Sequence, residues 1–194
     1  RRFAPHVKKM HELLSSVKAP KSVIVTVNAG FIPKAHWTHD PLVGGGRIIG
    51  ECCHFIDLIR FLVGQKIVSV DGRPMYEKSS RTILEDQSSI TLGFDDGSFG
   101  TILYLANGAS NFPKERIEVF TDGKVLQLDN FRKLKGYGWK GFKKLNFWSQ
   151  DKGQKACTEA FINGVRNGTP CIPIEEIFEV ARVTIETNDI LLDQ

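Results

Sequence analysis

The sequence predicts an α+β domain, in which an open, predominantly antiparallel sheet carries helices on one face. Helical periodicity at both ends of the chain, a series of strand-like runs between them, and Asp-Gly turns joining consecutive runs lead to this class. The 194 residues are 41% hydrophobic and 25% charged, which is typical of a globular domain with a substantial core. We therefore expect residues 1–194 to form a single domain.

The first third of the chain alternates between helix, strand and loop. Apolar residues at helical spacing predict a helix over 3–17, and a β-branched run predicts a strand near 21–29. Residues 31–43 contain two prolines and no periodicity, so they are expected to form a loop rich in His, Trp and Asp. A helix over 46–63 follows and closes at Gly64.

Strand-like runs fill the middle of the chain. FDDGSF and FTDGKV, each of which separates two of these runs, are typical of tight hairpins because Asp-Gly tolerates a positive φ. The order of the runs favours an antiparallel sheet, whose outer face is either solvated or covered by a partner. The expected strands cover residues 66–78, 86–94, 98–106, 115–121 and 124–130.

Two helices are expected at the end of the chain, over 152–167 and 174–192. Asp151 and Gln154 have a spacing that resembles a capping box for the first of them. The second follows Pro173 and begins with two glutamates, which interact favourably with a helix N-terminus.

The charge, the apolar runs and the cysteine content of the sequence argue against several classes of protein. A formal charge of +4 is too small to indicate nucleic-acid binding by itself. No apolar run is long enough to span a bilayer, and no signal-peptide pattern is present. None of the cysteines belongs to a CxxC pair, so reduced thiols in a cytoplasmic protein are expected rather than a disulfide scaffold. The four cysteines are Cys52, Cys53, Cys157 and Cys171.

Residues 44–64, GGGRIIGECCHFIDLIRFLVG, combine glycines with polar groups inside an apolar stretch. On a helical wheel the apolar residues share one face, and Glu51, His54 and Asp57 line the opposite edge. A histidine beside carboxylates is suited to general acid/base catalysis, so His54 and Glu51 are the catalytic candidates. The remaining candidates are Asp57, Arg47 and Trp37 for substrate contact, and Gly45 and Gly46 for cofactor contact.

The glycine triplet 44–46 would let a ligand approach the backbone at a helix N-terminus, where free N–H groups favour anions and electron-rich oxygens. Other interpretations remain open, because such a histidine is often merely solvated and such a triplet is often a hinge. A metal site is not expected, since Cys52 falls on the apolar face and no second ligand cluster lies at a standard spacing. The triplet also lacks the G-x-G-x-x-G pattern of a dinucleotide site.

The segment GGGRIIGECCHFID resembles the G-G-G-x-x-x-D-x-x-x-H-x-x-D signature of the Gfo/Idh/MocA oxidoreductases, the glucose–fructose oxidoreductase and inositol dehydrogenase family. The likeness extends to the two hairpins and the closing helices, and it is nearest to members found with surface-polysaccharide genes. It implies a GAPDH-like C-terminal domain that binds substrate and dimerises through the outer face of its sheet. It also implies an NAD- or NADP-dependent enzyme acting on a sugar, nucleotide sugar or polyol.

Within this resemblance, His54 falls on the family's catalytic histidine, which contacts the hydroxyl being oxidised. The family's aspartate falls on Gly50. Whether the neighbouring Glu51 supplies a carboxylate in its place stays open, because on a helical wheel it points about 100° away from position 50. The family's N-terminal Rossmann domain, with its glycine fingerprint and catalytic lysine, has no counterpart in residues 1–194. We therefore expect this chain to be the C-terminal part of a longer enzyme and to be inactive alone.

Residues 131–150, FRKLKGYGWKGFKKLNFWSQ, interleave cations with aromatic residues and contain no acid. Such interleaving occurs where proteins hold single-stranded nucleic acid, but aromatics packed inward beneath a solvated strand are the favoured interpretation. Nucleic acid is therefore not expected as a partner. A third interpretation, consistent with the resemblance, is that the segment helps to hold an anionic substrate such as a nucleotide-linked sugar.

Two functions remain after these observations. The first is the substrate and catalytic half of an oxidoreductase, and the second is a non-catalytic sugar-binding or dimerisation module that retains the fold and has lost its chemistry at Gly50. A homo-oligomer formed through the sheet face is expected in either case. The residues predicted at that interface are Ile102, Tyr104, Ile117 and Val119.

Overall fold

The computed structural model describes residues 1–40, 42–77 and 82–193, which form an α+β fold on an eight-stranded sheet. Pro41 and Lys78, which belong to the expected loop and to the first expected strand of the series, lie outside the described residues. The helices are α1 (Pro5–Leu14), α2 (Cys53–Val63), α3 (Gln154–Asn167) and α4 (Ile174–Leu192). The strands are β1 (Ser22–Asn28), β2 (Ile67–Glu77), β3 (Thr82–Phe94), β4 (Phe99–Leu105), β5 (Glu115–Thr121), β6 (Lys124–Asp129), β7 (Lys133–Tyr137) and β8 (Lys144–Asn146).

The strand order across the sheet is β2-β3-β4-β1-β5-β6-β7-β8. All described neighbours are antiparallel except β1 and β4, so the open and predominantly antiparallel sheet predicted from the sequence is confirmed. β1 lies between β4 and β5, with Val25 opposite Ile102 on one side and Ile117 on the other. The hairpin signals predict that neighbouring strands pair, but they do not predict this insertion of the first strand.

Both Asp-Gly turns form the hairpins expected of them. Gly97 joins β3 to β4 with a φ of 82°, and Asp122 and Gly123 join β5 to β6 with φ values of 46° and 69°. In the turn from β5 to β6, two consecutive residues with positive φ match the twist of the flanking strands, which explains the preference for Asp-Gly at that position.

The core lies on the face of the sheet that the helices cover. α2 crosses this face at Gly100, where the Cβ of any larger residue would lie 2.4 Å from Cγ2 of Ile59. A glycine is therefore required for α2 to pack this closely. The fully buried apolar residues of the strands are Val23, Val25, Val27, Ile90, Leu92, Ile102, Tyr104, Ile117, Val119, Leu126, Leu128 and Leu134.

The predicted interface residues are among these, so their assignment to the outer face is wrong. Side chains alternate across a strand, and the parity that places Val25 beneath the helices also places its neighbours Ile102 and Ile117 there. The opposite parity brings the aromatic rings of Phe99 and Phe120 to the outer face, where they are 45% and 41% exposed.

The two last helices begin differently from each other. The predicted capping box of α3 does not form: Gly153 is the N-cap residue, and the carboxylate of Asp151 accepts a hydrogen bond from the N–H of Gly153 instead. α4 follows Pro173 and has two glutamates in its first turn, as predicted. Among the described residues, no helix has both the length and the apolar character needed to cross a membrane.

Candidate active site

A π-helical turn, Ile48–Cys52, connects the glycine segment to α2. The N–H of Cys53 donates to the carbonyl of Ile48, five residues earlier, so the turn is wider than that of an α-helix. Turns of this kind frequently occur at functional sites. Cys52 points into the core, as the periodicity predicts, whereas His54 lies at the surface on the first turn of α2.

Glu51 lies at the centre of a hydrogen-bonded cluster. Its Oε2 accepts from Oη of Tyr104 at 2.5 Å and from Nη2 of Arg47 at 2.9 Å, and its Oε1 accepts from Nζ of Lys114 at 2.9 Å. Burial alone would raise the pKa of Glu51, but the three donors outweigh it and bring the pKa to about 2. Burial and the bond to Glu51 raise the pKa of Tyr104, so its phenol remains a donor.

These contacts argue against Glu51 as a proton acceptor. A carboxylate with three donors and a pKa of about 2 has almost no affinity for a proton near neutral pH. The geometry therefore does not favour the expectation that Glu51 replaces the aspartate missing at Gly50. Glu51 instead orients Lys114, whose side chain is 42% exposed and reaches the surface beside it.

Arg47 forms several hydrogen bonds within the protein. The residue is buried, and its guanidinium donates to the carbonyl of Gly30 at 2.6 Å, to that of Ala29 at 3.1 Å and to Glu51. It therefore ties the end of β1 to the π-helical turn. Its expected substrate contact stays a prediction, and these bonds leave fewer donors available to a ligand.

Asp57 is also bound within the protein. Both of its carboxylate oxygens accept from the guanidinium of Arg2, which donates as well to Glu176 on α4. Arg60 continues this network to Glu179. Asp57 therefore joins α2 to the residues before α1 and, through Arg2, to α4, and its expected substrate contact stays a prediction.

Among Glu51, His54 and Asp57, His54 is the residue whose functional group remains available. No described residue forms a hydrogen bond with its ring, and the residue is exposed. The protein atoms that screen one side of the ring, together with the positive charge of Arg1, lower the pKa of His54 below its ordinary 6.5. The imidazole is therefore neutral near pH 7 and can accept a proton.

Arg1, whose charge lowers the pKa of His54, also binds a buried carboxylate. Glu115, at the start of β5, is 1% exposed and forms ion pairs with Arg1 at 2.9 Å and Lys152 at 2.7 Å. The guanidinium of Arg1 also lies over the rings of Phe55 and Phe131, 5.6 Å from each centroid. Lys114 and Glu115 are consecutive, so the start of β5 connects this cluster to the one around Glu51.

Two N–H groups of the glycine triplet are already bound within the protein. Gly45 and Gly46 have φ values of 69° and 83°, which favour glycine, and the N–H groups of Gly44 and Gly45 both donate to the carbonyl of Asp40. A Cβ at Gly46 would lie 2.9 Å from Oε1 of Glu85. The expectation of free N–H groups at Gly45 is corrected, because Asp40 already occupies that donor.

The aromatic residues of the loop 31–43 and of the basic segment 131–150 differ in their exposure. Trp37 lies on a short 3₁₀ turn, Trp37–His39, and is largely exposed, so its expected substrate contact stays a prediction. In residues 131–150, Phe131 is fully buried, and Trp139, Phe142 and Phe147 are partly buried. Inward packing therefore accounts for most of these rings, although Trp148 is 98% exposed.

The sequence analysis missed Tyr104, Lys114, Arg1 and Glu115. Strand parity could have found Glu115, because it shares an alternating run with the buried residues Ile117 and Val119. A carboxylate on the inward face of a strand requires cationic partners. Its recognition would therefore have prompted a search for basic residues that the fold could bring near it. Lys114 and Arg1 have no comparable local signal, since both depend on contacts between distant segments.

Comparison with known proteins decides the family. The model of the GFO/IDH/MocA C-terminal domain family matches residues 9–126, a range that contains β1, the glycine segment, α2 and both Asp-Gly turns. The chain belongs to the Gfo/Idh/MocA oxidoreductase family. A curated relative, glucose-fructose oxidoreductase domain-containing protein 1 from Mus musculus, is 27% identical over 139 residues, which cover 66% of this chain and 36% of that protein.

Solved structures share the fold of this Gfo/Idh/MocA domain. A levoglucosan dehydrogenase in complex with NADH and levoglucosan superimposes with a TM-score of 0.78 at 15% identity, and an NAD binding oxidoreductase from Klebsiella pneumoniae with a TM-score of 0.77 at 18% identity. Both matches cover 99% of this chain and 62% of the other. A UDP-N-acetylglucosamine 3-dehydrogenase from Acidithiobacillus ferrooxidans matches at 15% identity with a TM-score of 0.73, covering 97% of this chain and 58% of the other.

The chain therefore corresponds to about three fifths of these solved oxidoreductases and to little more than a third of the curated relative. The Gfo/Idh/MocA membership identifies it as an oxidoreductase-type domain. The His54 segment lies inside the range that the family model matches.

Proposed function

We propose that residues 1–194 are the substrate and catalytic half of a longer NAD(P)-dependent oxidoreductase, in which His54 contacts the hydroxyl that is oxidised. The observation that carries this proposal is the available imidazole of His54, which lies between Glu51 and Asp57 while both carboxylates are bound to protein donors. Because Glu51 and Asp57 are bound and the imidazole is not, His54 is the proton acceptor that remains available among these three residues.

The chemistry assigned to His54 is the removal of the hydroxyl proton. Its pKa lies below 6.5, so near neutral pH an unprotonated ring nitrogen is present to accept that proton. A nicotinamide dinucleotide, when bound, would accept the hydride that leaves the carbon bearing this hydroxyl, so that a carbonyl forms. Arg1 opposes protonation of the ring in the resting site and so favours its role as a base.

The residues of this chain fit only the reacting end of such a cofactor. The N–H groups of Gly44 and Gly45 are bound to Asp40, and Glu85 lies against Gly46, so the triplet offers no site for a pyrophosphate. Phosphate binding is therefore assigned to an N-terminal dinucleotide-binding domain of the full-length protein. The unmatched two fifths of the solved oxidoreductases support this assignment.

The substrate is proposed to be a sugar or nucleotide sugar that carries negative charge. Glu51 binds Arg47 and Lys114, Asp86 also forms an ion pair with Arg47, and Glu115 binds Arg1 and Lys152. The two clusters therefore contain four cations and three carboxylates. Such an excess attracts an anionic ligand. The dehydrogenase of UDP-N-acetylglucosamine among the structural neighbours is consistent with this substrate class.

Two further properties belong to the same proposal. The protein is a homo-oligomer that forms through the outer face of the sheet, where Phe99 and Phe120 are half exposed. It acts in the cytoplasm in the synthesis of surface polysaccharide, and its four unpaired cysteines suit a reducing compartment.

The test is a comparison of the full-length protein with its His54→Asn variant on nucleotide sugars and neutral sugars. Wild-type protein should reduce NAD or NADP with an anionic sugar substrate, and the variant should bind cofactor normally but turn over far more slowly. Reduction of the cofactor by neutral sugars alone would contradict the proposed substrate class. No reduction with any member of the panel would contradict the proposed activity.

A non-catalytic module remains the second candidate because of one observation. Gly50 has no side chain and Glu51 is bound by three donors, so the segment lacks a free carboxylate base. Calorimetric titration separates the two functions. A full-length protein that binds a sugar without ever reducing NAD or NADP would be such a module.

A further inference from the structure

Lys114 is held in place although its ammonium group reaches the surface. Its backbone carbonyl accepts from the N–H of Asn28 at 2.8 Å, and its Nζ donates to Oε1 of Glu51 at 2.9 Å. The side chain is nevertheless 42% exposed. Both ends of this residue are therefore fixed, whereas a lysine at a protein surface ordinarily keeps a flexible stem.

The segment that leads to Lys114 is fixed by the same asparagine. Nδ2 of Asn28 donates to the carbonyl of Ala109 at 2.8 Å and to that of Phe112 at 3.3 Å. Residues 109–114 are therefore tied to the end of β1, and the start of β5 places Lys114 beside Glu51.

The ion pair with Glu51 does not by itself account for this arrangement. Glu51 already accepts from Tyr104 and Arg47, and its side chain is 22% exposed, so water can reach the rest of the carboxylate. An exposed ion pair contributes little to stability, whereas ordering a lysine side chain costs conformational entropy. A ligand that binds the ordered ammonium group would account for its position.

The ammonium group of Lys114 has unused donors. A lysine carries three N–H donors. Among the residues that the structure describes, Lys114 donates to Glu51 alone, so the other donors are available to a ligand at the surface.

Lys114 and His54 meet at the same edge of the segment that contains Glu51. Glu51 precedes His54 by three residues, a spacing that brings the Cβ atoms of a helix to within about 5–6 Å of each other. The charge of Glu51 acts on the ring of His54, and Lys114 binds the same carboxylate. One small molecule can therefore contact both the imidazole and the ammonium group.

We propose that Lys114 determines the substrate specificity of this site by binding a negatively charged group next to the hydroxyl that His54 contacts. This inference rests on the proposed function, which assigns that hydroxyl to His54. The charged group is a carboxylate on the sugar ring or a phosphate on its anomeric carbon, because both lie within one ring of the reacting carbon. Hydrogen bonds from an ammonium group to such acceptors are about twice as strong as those between neutral groups. Lys114 therefore favours charged sugars over neutral ones.

The wild-type full-length protein provides the first measurement. The KM values of glucuronate, glucose 1-phosphate and UDP-N-acetylglucosamine are compared with those of the neutral glucose and N-acetylglucosamine. At low salt the preferred charged sugar should have a KM about tenfold or more below that of its neutral counterpart, and the difference should shrink as salt screens the charges. Glucuronate and glucose 1-phosphate distinguish the two positions of the charge.

Equal KM values for the charged and neutral sugars would overturn the proposal. This comparison requires no substitution, so it does not depend on whether a variant folds.

Substitution then assigns the selectivity to Lys114. In Lys114→Met, the KM of the charged sugar should rise about ten- to hundredfold more than that of its neutral counterpart, because one charge-assisted contact is lost. Lys114→Arg keeps the charge and should restore most of the selectivity. Lys9→Met, which removes the lysine of an ion pair with Glu12 on α1, is the matched control and should leave the selectivity unchanged.

A merely structural role of Lys114 predicts a different result. The KM values of charged and neutral sugars would then change by the same factor in Lys114→Met. That outcome, or a folded Lys114→Met protein with wild-type selectivity, would overturn the proposal.

The outcomes for the anion contact and for the activity are separable by calorimetric titration of the same charged sugars. A full-length protein that reduces no cofactor, but binds a charged sugar about tenfold more weakly after Lys114→Met, would support the contact and refute the activity. An enzyme that reduces the cofactor equally well with charged and neutral sugars would refute the contact and leave the activity intact.

Discussion

The hydroxyl of Tyr104 lies 2.5 Å from Oε2 of Glu51, a contact that joins the middle of the sheet to the π-helical turn before α2. Tyr104 comes from β4 and is completely buried, so it fixes the carboxylate from below while Lys114 binds it at the surface. This relationship makes Glu51 a residue that positions others, and it leaves His54 as the group that is free to exchange a proton.

Glu51→Gln should destabilise the protein by about 3 kcal/mol near neutral pH, because the pKa of this carboxylate falls from 4.5 to about 2 on folding. In the wild type this contribution is present above pH 4.5 and is lost as the pH falls toward 2. Urea denaturation at neutral pH and in acid should show the two proteins converging in acid. Glu12→Gln, on the exposed side of α1, is the control and should have little effect.

Tyr104→Phe should remove one of the three donors and raise the pKa of Glu51, although Arg47 and Lys114 keep the carboxylate ionised at neutral pH. Loss of a hydrogen bond to a charged group should cost about 2 kcal/mol. Carboxyl NMR titration measures the pKa directly, with Tyr137→Phe at the exposed end of β7 as the matched control. An unchanged Glu51 titration in Tyr104→Phe would refute the contact.

His6 is fully buried, and we therefore expect the free energy of unfolding to decrease in mild acid. Burial lowers its pKa in the folded protein below 6.5, so the unfolded chain binds a proton first as the pH falls. The free energy of unfolding should therefore decrease as the pH is lowered from 6.5 toward the folded pKa. His6→Leu should flatten this dependence in chemical denaturation measured across that range, and His11, whose pKa is also lowered, should account for part of what remains.

The outer face of the sheet should carry the self-association. Phe120→Lys should weaken the oligomer, because it places a charge among the half-exposed rings of that face. Phe112→Lys, in an exposed loop away from the strands, should leave the sedimentation coefficient unchanged. Ile117→Lys should instead unfold the protein, since Ile117 is in the core. A wild-type protein that sediments strictly as a monomer would contradict this assignment.

Local sequence patterns were sufficient to predict much of the fold. Apolar periodicity predicts that Cys52 is buried, and the Asp-Gly dipeptides at 96–97 and 122–123 predict both hairpins, because each depends on residues that are neighbours in sequence. The position of β1 between β4 and β5 depends on pairing between segments far apart in the chain. No short-range signal specifies such pairing.

The site could be predicted only in part for the same reason. A helical wheel places Glu51, His54 and Asp57 on one edge, but it contains no information about the distant partners Tyr104 and Arg2 that bind the two carboxylates. The wheel also assumes a uniform α-helix, whereas a π-helical turn precedes His54. His54 remains a candidate because the same contacts leave its ring available.

The measurement that tests the central claim most directly is the pH dependence of kcat for the full-length enzyme and its His54→Asn variant. The wild type should lose activity in acid with an apparent pKa below 6.5, because His54 must be neutral to accept the hydroxyl proton. His54→Asn should lower kcat by about 10²–10⁴ and abolish this acid limb, with cofactor binding intact and a far larger loss of kcat than in Glu51→Gln. A folded, cofactor-bound His54→Asn enzyme with wild-type turnover and an unchanged pH profile would contradict the assignment of His54 as the base.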